Sequence, residues 1–238
     1  MRSMIIHMSR STARRPNVER LLRDLPNAEV IEAADGQEPK DIADLTVRPG
    51  NLHRPSYPFS LRPAEIGVFQ SHRRCWRALL DSGDDFALIV EDDLAVDPAR
   101  LTEALELIHA HAHPNMYVRL PVKDREKPGH TLATQGACAL IKPKVIGLQC
   151  IAQVVGRGAA ERLLQASDTI DRPVDTWLQM HWVTGQPIHA ALPNGNREIA
   201  GEIGGSTIQT KIRASGKLAR EWKRFVYRAQ VALRPQKP

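Results

Sequence analysis

The segment FALIVEDDL, residues 86–94, constrains the fold of this 238-residue chain most strongly, because it is a short apolar run that ends in three consecutive acids. The run contains the β-branched residues Ile89 and Val90 and follows the breaker-rich segment 81–85. These features favour a buried strand over a helix. In open α/β sheets the carboxyl ends of the strands face the ligand crevice. The sequence therefore predicts an α/β fold with a binding site at the end of this strand.

The three acids suggest what this site binds. Alternation along an extended backbone would point Glu91 and Asp93 to one side and Asp92 to the other. Two carboxylates on one side repel each other unless a cation lies between them. A hard divalent ion such as Mn²⁺ or Mg²⁺ suits carboxylate oxygens. The alternative is a solvated turn whose acids cap the next helix, and the triplet alone leaves both interpretations open.

Strands and helices alternate on either side of the acids. Before them, the spacing predicts a strand over 3–8, a helix over 11–24, a strand in AEVIEAADG, an irregular segment over 37–60 and a helix from Pro63 to Gly83. After them, it predicts a helix near 98–111, strands at MYVRL, ACALI and QCIAQVV, a short helix in GRGAAERLLQAS, and then DRPVDTWLQMHW. This order predicts a Rossmann-type sheet flanked by helices, with an extra acceptor half after the acids.

The net charge of +6 comes from the C-terminus, because residues 211–238 hold nine Lys or Arg and one acid, Glu221. We therefore predict a domain over 1–209 and a basic tail over 210–238, and no nucleic-acid partner for the slightly acidic body. On a helical wheel the tail has an apolar stripe, which suits a helix lying on an anionic membrane through 211–234 or one that packs its stripe on the domain. The stripe is Leu218, Trp222, Phe225, Val226, Ala229 and Leu233, and the basic residues opposite are Lys217, Arg220, Lys223, Arg224 and Arg228.

Cysteine and histidine positions argue against disulfides and zinc. Cys75, Cys138 and Cys150 are widely spaced in apolar surroundings, so we expect them to be buried and reduced. The histidines of HAHAH, at 109, 111 and 113, follow a helical pattern and have no thiolate or fourth ligand nearby, which favours a helix end over zinc. No apolar run approaches the ~20 residues of a spanning helix, so we expect a cytoplasmic protein, free or on the inner face of the membrane.

Several segments together, in the right order, resemble glycosyltransferase family 25, which includes bacterial lipopolysaccharide sugar transferases and collagen galactosyltransferases. The most specific pair is the Ser-His helix followed at once by the Glu-Asp-Asp strand. The chain departs from the family pattern at His7, where a member usually has Asn. The matching segments, within residues 4–180, are IIHMSRSTARR, VIEAADG, LRPAEIGVFQSHRRCWRALL, FALIVEDDL, AQVVGRGAAERLL and RPVDTWL.

The resemblance implies a GT-A-like fold and a metal-assisted, inverting transfer of a sugar, such as galactose, from a nucleotide-sugar donor, for example a UDP-sugar. The acceptor would be a glycan or a lipid-linked glycan of lipopolysaccharide or another surface polymer. Glu91 and Asp93 would hold the metal beside the departing diphosphate. Asp92 would orient a ribose hydroxyl or support the site from behind.

Three arginines after the first strand are candidates for binding the donor. Arg10, Arg14 and Arg15 could meet the diphosphate or the base, since guanidinium groups bind phosphates through paired hydrogen bonds. The alternative is an exposed helix face.

The helix before the acidic strand carries further candidates for donor binding. Ser71 and His72 could hydrogen-bond the donor, or His72 could instead buttress the sheet. Gly67 would allow close approach of the nucleotide or of another backbone segment.

The candidate base is Asp175, because an inverting transfer needs a carboxylate that takes the acceptor proton. The alternative role for Asp175 is to cap the helix TWLQMHW. Two other functions stay open at this point, a metal-dependent phosphotransferase or phosphatase and an inactive transferase-like adaptor.

Overall fold

The computed structural model describes residues 1–203 and 217–237. Within them the chain forms an eight-stranded mixed sheet flanked by helices, and two small two-stranded sheets. The strands are β1 Arg2–His7, β2 Ala28–Glu32, β3 Thr46–Val47, β4 Phe86–Glu91, β5 Leu94–Ala95, β6 Tyr117–Arg119, β7 Pro128–Gln135, β8 Cys138–Pro143, β9 Ala152–Gly156, β10 Thr169–Ile170, β11 His189–Leu192 and β12 Arg197–Glu198. The α-helices are α1 Arg15–Asp24, α2 Pro63–Ser82, α3 Pro98–His111, α4 Arg157–Ala166, α5 Val174–Leu178, α6 His181–Thr184 and α7 Lys217–Ala232, and short 3-10 helices span Thr12–Arg14 and Pro39–Ile42.

The large sheet has the order β2-β1-β4-β9-β6-β11-β8-β7. Strands β2, β1 and β4 are parallel, and β9 runs antiparallel to β4. The carboxyl ends of the three parallel strands therefore meet the start of β9 at one edge of the sheet. The α/β class and the helix-flanked mixed sheet predicted from the sequence are confirmed.

The sheet separates two apolar cores. Alternation along β4 sends Ala87 and Ile89 into the core beneath α2 and α4, and Leu88 and Val90 into the core beneath α1 and α3. Both faces of β4 are buried, which explains why its sequence is an uninterrupted apolar run rather than an alternating one. Glu91 continues the α2 face of the strand, and this register delivers a carboxylate to the end of the sheet.

Helix α2 has a well-defined start and end. The backbone N–H of Arg62 donates to Glu65, which satisfies a free donor at the helix N-terminus, and Gly83 ends the helix with φ +80. Trp76 stacks on Trp177 of α5 with ring centroids 6.5 Å apart. Helix α2 is thereby fixed both to the sheet and to the segment that carries Asp175.

Two strands of the large sheet, β7 and β11, carry no clear signal in the sequence. Strand β7 is largely exposed at the edge of the sheet and begins with Pro128, so it lacks the apolar alternation that marks a half-buried strand. Strand β11 has only four residues, too few for a periodic signal. The three cysteines are free and buried, as predicted.

The basic C-terminal helix is confirmed as α7, and it packs on the domain through Tyr227 and Val231, which are 6% and 4% exposed. The alternative in which the predicted apolar stripe packs on the domain is wrong, because Leu218 and Leu233 are 88% and 80% exposed. The predicted domain boundary between 209 and 210 lies outside the described residues. Among the helices of residues 1–203 and 217–237, none has the length and apolar character needed to cross a bilayer.

Candidate active site

A cavity of about 800 Å³ opens where β1, β2 and β4 end. Helix α2, the segment before β9 and the start of α5 complete its walls. This is the edge of the sheet at which the sequence predicted a binding site, and the volume suits a ligand of several rings. Polar and charged residues of the lining include Arg10, Arg14, Asp35, Tyr57, Ser71, His72, Glu91, Asp92, Asp93, Gln149, Asp175 and Glu198.

All three acids at the end of β4, Glu91, Asp92 and Asp93, line this cavity. Strand β4 ends at Glu91, and the chain turns through Asp92 and Asp93 before β5; we call residues 91–93 the acid turn. Glu91 lies beside His72 of α2, whereas Asp92 contacts His7 and Arg14 near α1, so these two acids have different neighbours although both line the cavity. Asn17 fixes the turn by donating to the backbone carbonyls of Asp92 (2.9 Å) and Leu94 (2.8 Å).

Asp92 is held in a buried network. His7 Nδ1 lies 2.7 Å from Asp92 Oδ2, and Arg14 Nη1 donates to Asp92 Oδ1. The same guanidinium nitrogen lies 3.4 Å from Asp93 Oδ2. Arg14 thus bridges two of the acids, and both carboxylate oxygens of Asp92 have protein partners. The role of Asp92, to orient a ribose hydroxyl or to support the site from behind, stays a prediction.

Asp93 is in a different electrostatic position. Burial, together with the nearby charge of Glu91, raises the pKa of Asp93 to about 7. Its Oδ1 atom is buried without a hydrogen-bond partner among the described residues. Glu91 is half-buried, and its Oε1 lies 3.5 Å from His72 Nε2. Two carboxylates therefore share a site with too little positive charge.

This pair fits the predicted divalent metal. The donor atoms are hard oxygens, one of them lacks a partner, and a cation would relieve the repulsion that raises the pKa of Asp93. Across residues 1–203 and 217–237 no group of three or more His, Cys, Asp or Glu side chains is arranged to hold a metal ion. A metal held by Glu91 and Asp93 would need further oxygen ligands from a substrate, which is how Mg²⁺ sites that use substrate phosphates are built.

His72, Ser71 and Gly67 connect α2 to the sheet. His72 is fully buried, and its Nδ1 lies 3.3 Å from Gln153 Nε2 of β9. Ser71 accepts from the backbone N–H of Ala34 at 2.9 Å. A Cβ atom at Gly67 would lie 2.6 Å from the carbonyl oxygen of Ala34. Of the alternatives left open for Gly67, the structure shows close approach of another backbone segment.

The three candidate arginines have different surroundings. Arg14 is buried in the acid network, whereas Arg10 lines the cavity with a 65% exposed side chain that pairs with Asp35. Arg15 is exposed at the start of α1 and does not line the cavity. For Arg15 the alternative of an exposed helix face is the one that the structure shows, because the 3-10 turn before α1 directs Arg14 inward.

Asp175 lies in the first turn of α5 and lines the cavity. Its Oδ1 accepts from the backbone N–H of Thr176 at 2.6 Å, and its Oδ2 accepts from the backbone N–H of Gln149 at 3.1 Å. Pro173 occupies the N-cap of α5, so the predicted capping role is wrong in position. Hydrogen bonds from two chain segments fix the orientation of the carboxylate.

The residues that support Asp175 are not predictable from the sequence. Gln149 has φ +75, a strained conformation for a residue with a side chain, and its Nε2 donates to Glu198 at 2.8 Å. Arg119 of β6, which pairs with Glu126, donates to the carbonyl of Gln149 at 3.0 Å. No sequence pattern marks a non-glycine residue with positive φ, so these residues could not have been found in advance.

The family model of glycosyltransferase family 25, described as an LPS biosynthesis protein, matches residues 1–178. The chain belongs to glycosyltransferase family 25. The match includes β1, α2, the acid turn and Asp175, so the cavity of this family 25 glycosyltransferase is built almost entirely from the matched region. The resemblance stated from the sequence is confirmed, and so is the assignment as an enzyme.

Beyond the family model, the likenesses are distant. No curated protein sequence matches this family 25 glycosyltransferase. A solved structure that it resembles is titled mannose-1-phosphate geranyltransferase, from Thermus thermophilus. The two share 12% identity over 79% of this chain and 72% of the other, with a TM-score of 0.37.

Proposed function

We propose that this glycosyltransferase binds a nucleotide-sugar donor, such as a UDP-sugar, in the cavity beside Glu91 and Asp93, and transfers the sugar to a saccharide acceptor with inversion. The observation that carries the proposal is the pair of under-neutralised carboxylates facing a large cavity, with a well-oriented third carboxylate, Asp175, on its other wall. The family description, which names LPS biosynthesis, supports a saccharide acceptor.

The donor would bind with its diphosphate at the acid turn. A divalent cation held by Glu91 and Asp93 would neutralise the negative charge that develops on the departing diphosphate. Arg14 holds the turn in place, and exposed Arg10 lies on the same wall, where its guanidinium can exchange Asp35 for a phosphate. The GT-A-like fold that the family resemblance implies, with a metal beside the departing diphosphate, is compatible with this placement.

The reaction would be a single displacement. The acceptor hydroxyl oxygen forms a bond to the anomeric carbon, the bond from that carbon to the diphosphate breaks with its electron pair on the diphosphate, and Asp175 takes the hydroxyl proton. Gln149 and Thr176 hold the Asp175 carboxylate in one orientation, which a base needs if it is to meet the acceptor hydroxyl.

Stabilisation by donors tests this assignment. A nucleotide sugar that binds the folded state raises the free energy of unfolding by about 2.7 kcal/mol at a hundredfold excess over Kd, and the melting temperature rises with it. We expect one class of nucleotide sugar to stabilise the wild type with Mn²⁺ and much less in EDTA, and Asp93→Asn to lose the metal-dependent part. The matched control is Asp85→Asn, which removes an exposed acid just before β4. A panel in which no nucleotide sugar stabilises the protein, with or without Mn²⁺ or Mg²⁺, contradicts the proposal.

A further inference from the structure

Helix α7 exposes a row of large apolar side chains, which we call the outer face: Leu218, Trp222, Phe225 and Leu233. They are 88%, 66%, 62% and 80% exposed. The rings of Trp222 and Phe225 stack on each other with centroids 5.8 Å apart, so they form a contiguous aromatic patch rather than scattered contacts. Isolated apolar residues are normal on a protein surface, whereas a contiguous patch of this kind marks an interaction site.

The outer face is exposed because the opposite side of α7 is anchored to the domain. Tyr227 follows Leu218 by nine residues, which at about 100° per residue places it on the opposite side of the helix. The Tyr227 hydroxyl accepts from Arg172 at 3.0 Å, and its ring packs edge-on against Tyr57 at 5.5 Å. After the helix, buried Gln236 donates to the carbonyls of Ile188 (2.8 Å) and Pro143 (2.9 Å). The outer face is therefore turned away from the domain by specific polar contacts on the other side.

Basic side chains lie on both flanks of the outer face and on the side of α7 nearer the domain, where Arg224 lies over the Phe59 ring. Arg220, Lys223, Arg224 and Arg228 are exposed, and the acid of the helix, Glu221, is paired with Arg224 at 2.7 Å. In helical geometry Lys223 and Arg228 lie on opposite flanks of the apolar row. A surface that is apolar and aromatic in the middle and cationic at its edges matches the interface of an anionic bilayer, where the apolar groups enter the acyl boundary and the cations meet the headgroups.

We propose that the outer face of α7 is a docking surface for an anionic lipid membrane. The charge pattern decides against a second copy of this chain as the occupant, because pairing two outer faces would bring two rows of like charges together. This inference goes beyond glycosyl transfer and does not depend on it. It also bears on the acceptor, since Tyr57 touches Tyr227 and lines the cavity, so the docking helix lies one side chain away from the cavity wall.

Cosedimentation of the full-length protein with vesicles tests the docking surface. We expect binding to phosphatidylglycerol vesicles at low salt, weak binding to phosphatidylcholine vesicles, and a blue shift of tryptophan emission that is absent in Trp222→Phe. The double variant Trp222→Ala, Phe225→Ala should bind anionic vesicles roughly tenfold less tightly or worse, because it removes both aromatic anchors. Lys223→Gln, Arg228→Gln should also weaken binding and flatten its dependence on salt.

Leu22→Ala is the matched control, because Leu22 of α1 is 39% exposed and lies outside the cavity lining; it should bind like the wild type. These substitutions leave Tyr227 and Gln236 in place, whereas truncation after 209 would remove both, so the point variants separate docking from folding. Three results would overturn the proposal: wild type that ignores anionic vesicles at low salt, aromatic variants that bind as tightly as the wild type, or an oligomer that the aromatic variants dissociate in the absence of vesicle binding.

Discussion

Replacing Asp93 by Asn removes a carboxylate whose ionisation the folded protein disfavours. Burial and the charge of Glu91 raise the pKa of Asp93 from 3.8 to about 7. A difference of about three units corresponds to at most about 4 kcal/mol of free energy, at about 1.36 kcal/mol per unit. Asn keeps the size of the side chain but has no charge to lose or gain, so the variant avoids this cost.

The sign of the pH dependence follows from proton binding. Between pH 4 and pH 7 folded Asp93 keeps a proton that the unfolded chain has released, so the free energy of unfolding falls as pH rises. The stability that protonated Asp93 contributes is fully present below the pKa of Asp93 in the unfolded chain and is lost above about pH 7. We therefore expect Asp93→Asn to match the wild type near pH 4 and to be more stable by up to about 4 kcal/mol at pH 8.

Urea unfolding in EDTA at several pH values from 4 to 8.5 measures this difference, with Asp85→Asn as the control for removing an acid near β4 outside the cavity. Adding Mn²⁺ at pH 8 should stabilise the wild type and narrow the gap to Asp93→Asn, because a bound cation offsets the repulsion between Glu91 and Asp93. If the free energy of unfolding changes with pH in the same way for wild type and variant, the electrostatic account of the acid turn is refuted. It is also refuted if the variant is less stable than the wild type at pH 8.

Three further predictions concern other parts of the structure. Asp175→Asn should lower kcat by roughly 10²-fold or more with donor affinity kept, as expected for loss of a base, whereas an equal loss of affinity would make Asp175 a binding residue. Gly67→Ala should lower the free energy of unfolding in urea by about 1–3 kcal/mol, because the new Cβ would press on the Ala34 carbonyl. The control Gly201→Ala, whose Cβ would meet nothing within 4 Å, should leave the stability unchanged, and equal effects of the two substitutions would contradict the packing argument. Burial lowers the pKa of His189 to about 4, so the neutral imidazole contributes stability that is present above the unfolded pKa near 6.5 and is lost as the pH falls through 4. An NMR titration of the imidazole should therefore show a midpoint near 4, and a midpoint near 6.5 would contradict this prediction.

The parts of the fold that the sequence predicted well are those whose signals are local. Helix α2 has Pro at its start, Gly at its end and an apolar face between them, and β4 is a continuous apolar run because both of its faces are buried. The exposed edge strand β7 lacks such a signal, since its side chains have no core to face. For α7, helical spacing predicted which residues form the apolar stripe. It did not predict which face packs on the domain, because Tyr227, Val231 and Gln236 fix that face through partners that are distant in sequence.

In the candidate site, too, only the residues with a local sequence signal could be predicted. Glu91, Asp92 and Asp93 could be placed because they follow directly on a recognisable strand, but the turn that brings Asp92 into the cavity could not. Whether Arg14 or Arg15 faces inward depends on a single 3-10 turn. Gln149 and Glu198 come from irregular or two-residue segments, and only the tertiary structure brings them beside Asp175.

Release of nucleoside diphosphate tests the central claim most directly. The purified enzyme would be incubated with the stabilising nucleotide sugar, Mn²⁺ and a saccharide acceptor, and the free nucleotide and the glycosylated acceptor would be measured together. We predict stoichiometric release and transfer by the wild type, opposite anomeric configurations in donor and product, and losses of both signals in EDTA and in Asp175→Asn. Transfer that is undiminished in EDTA and in Asp175→Asn would contradict the assignment of the cavity, its acid turn and its base.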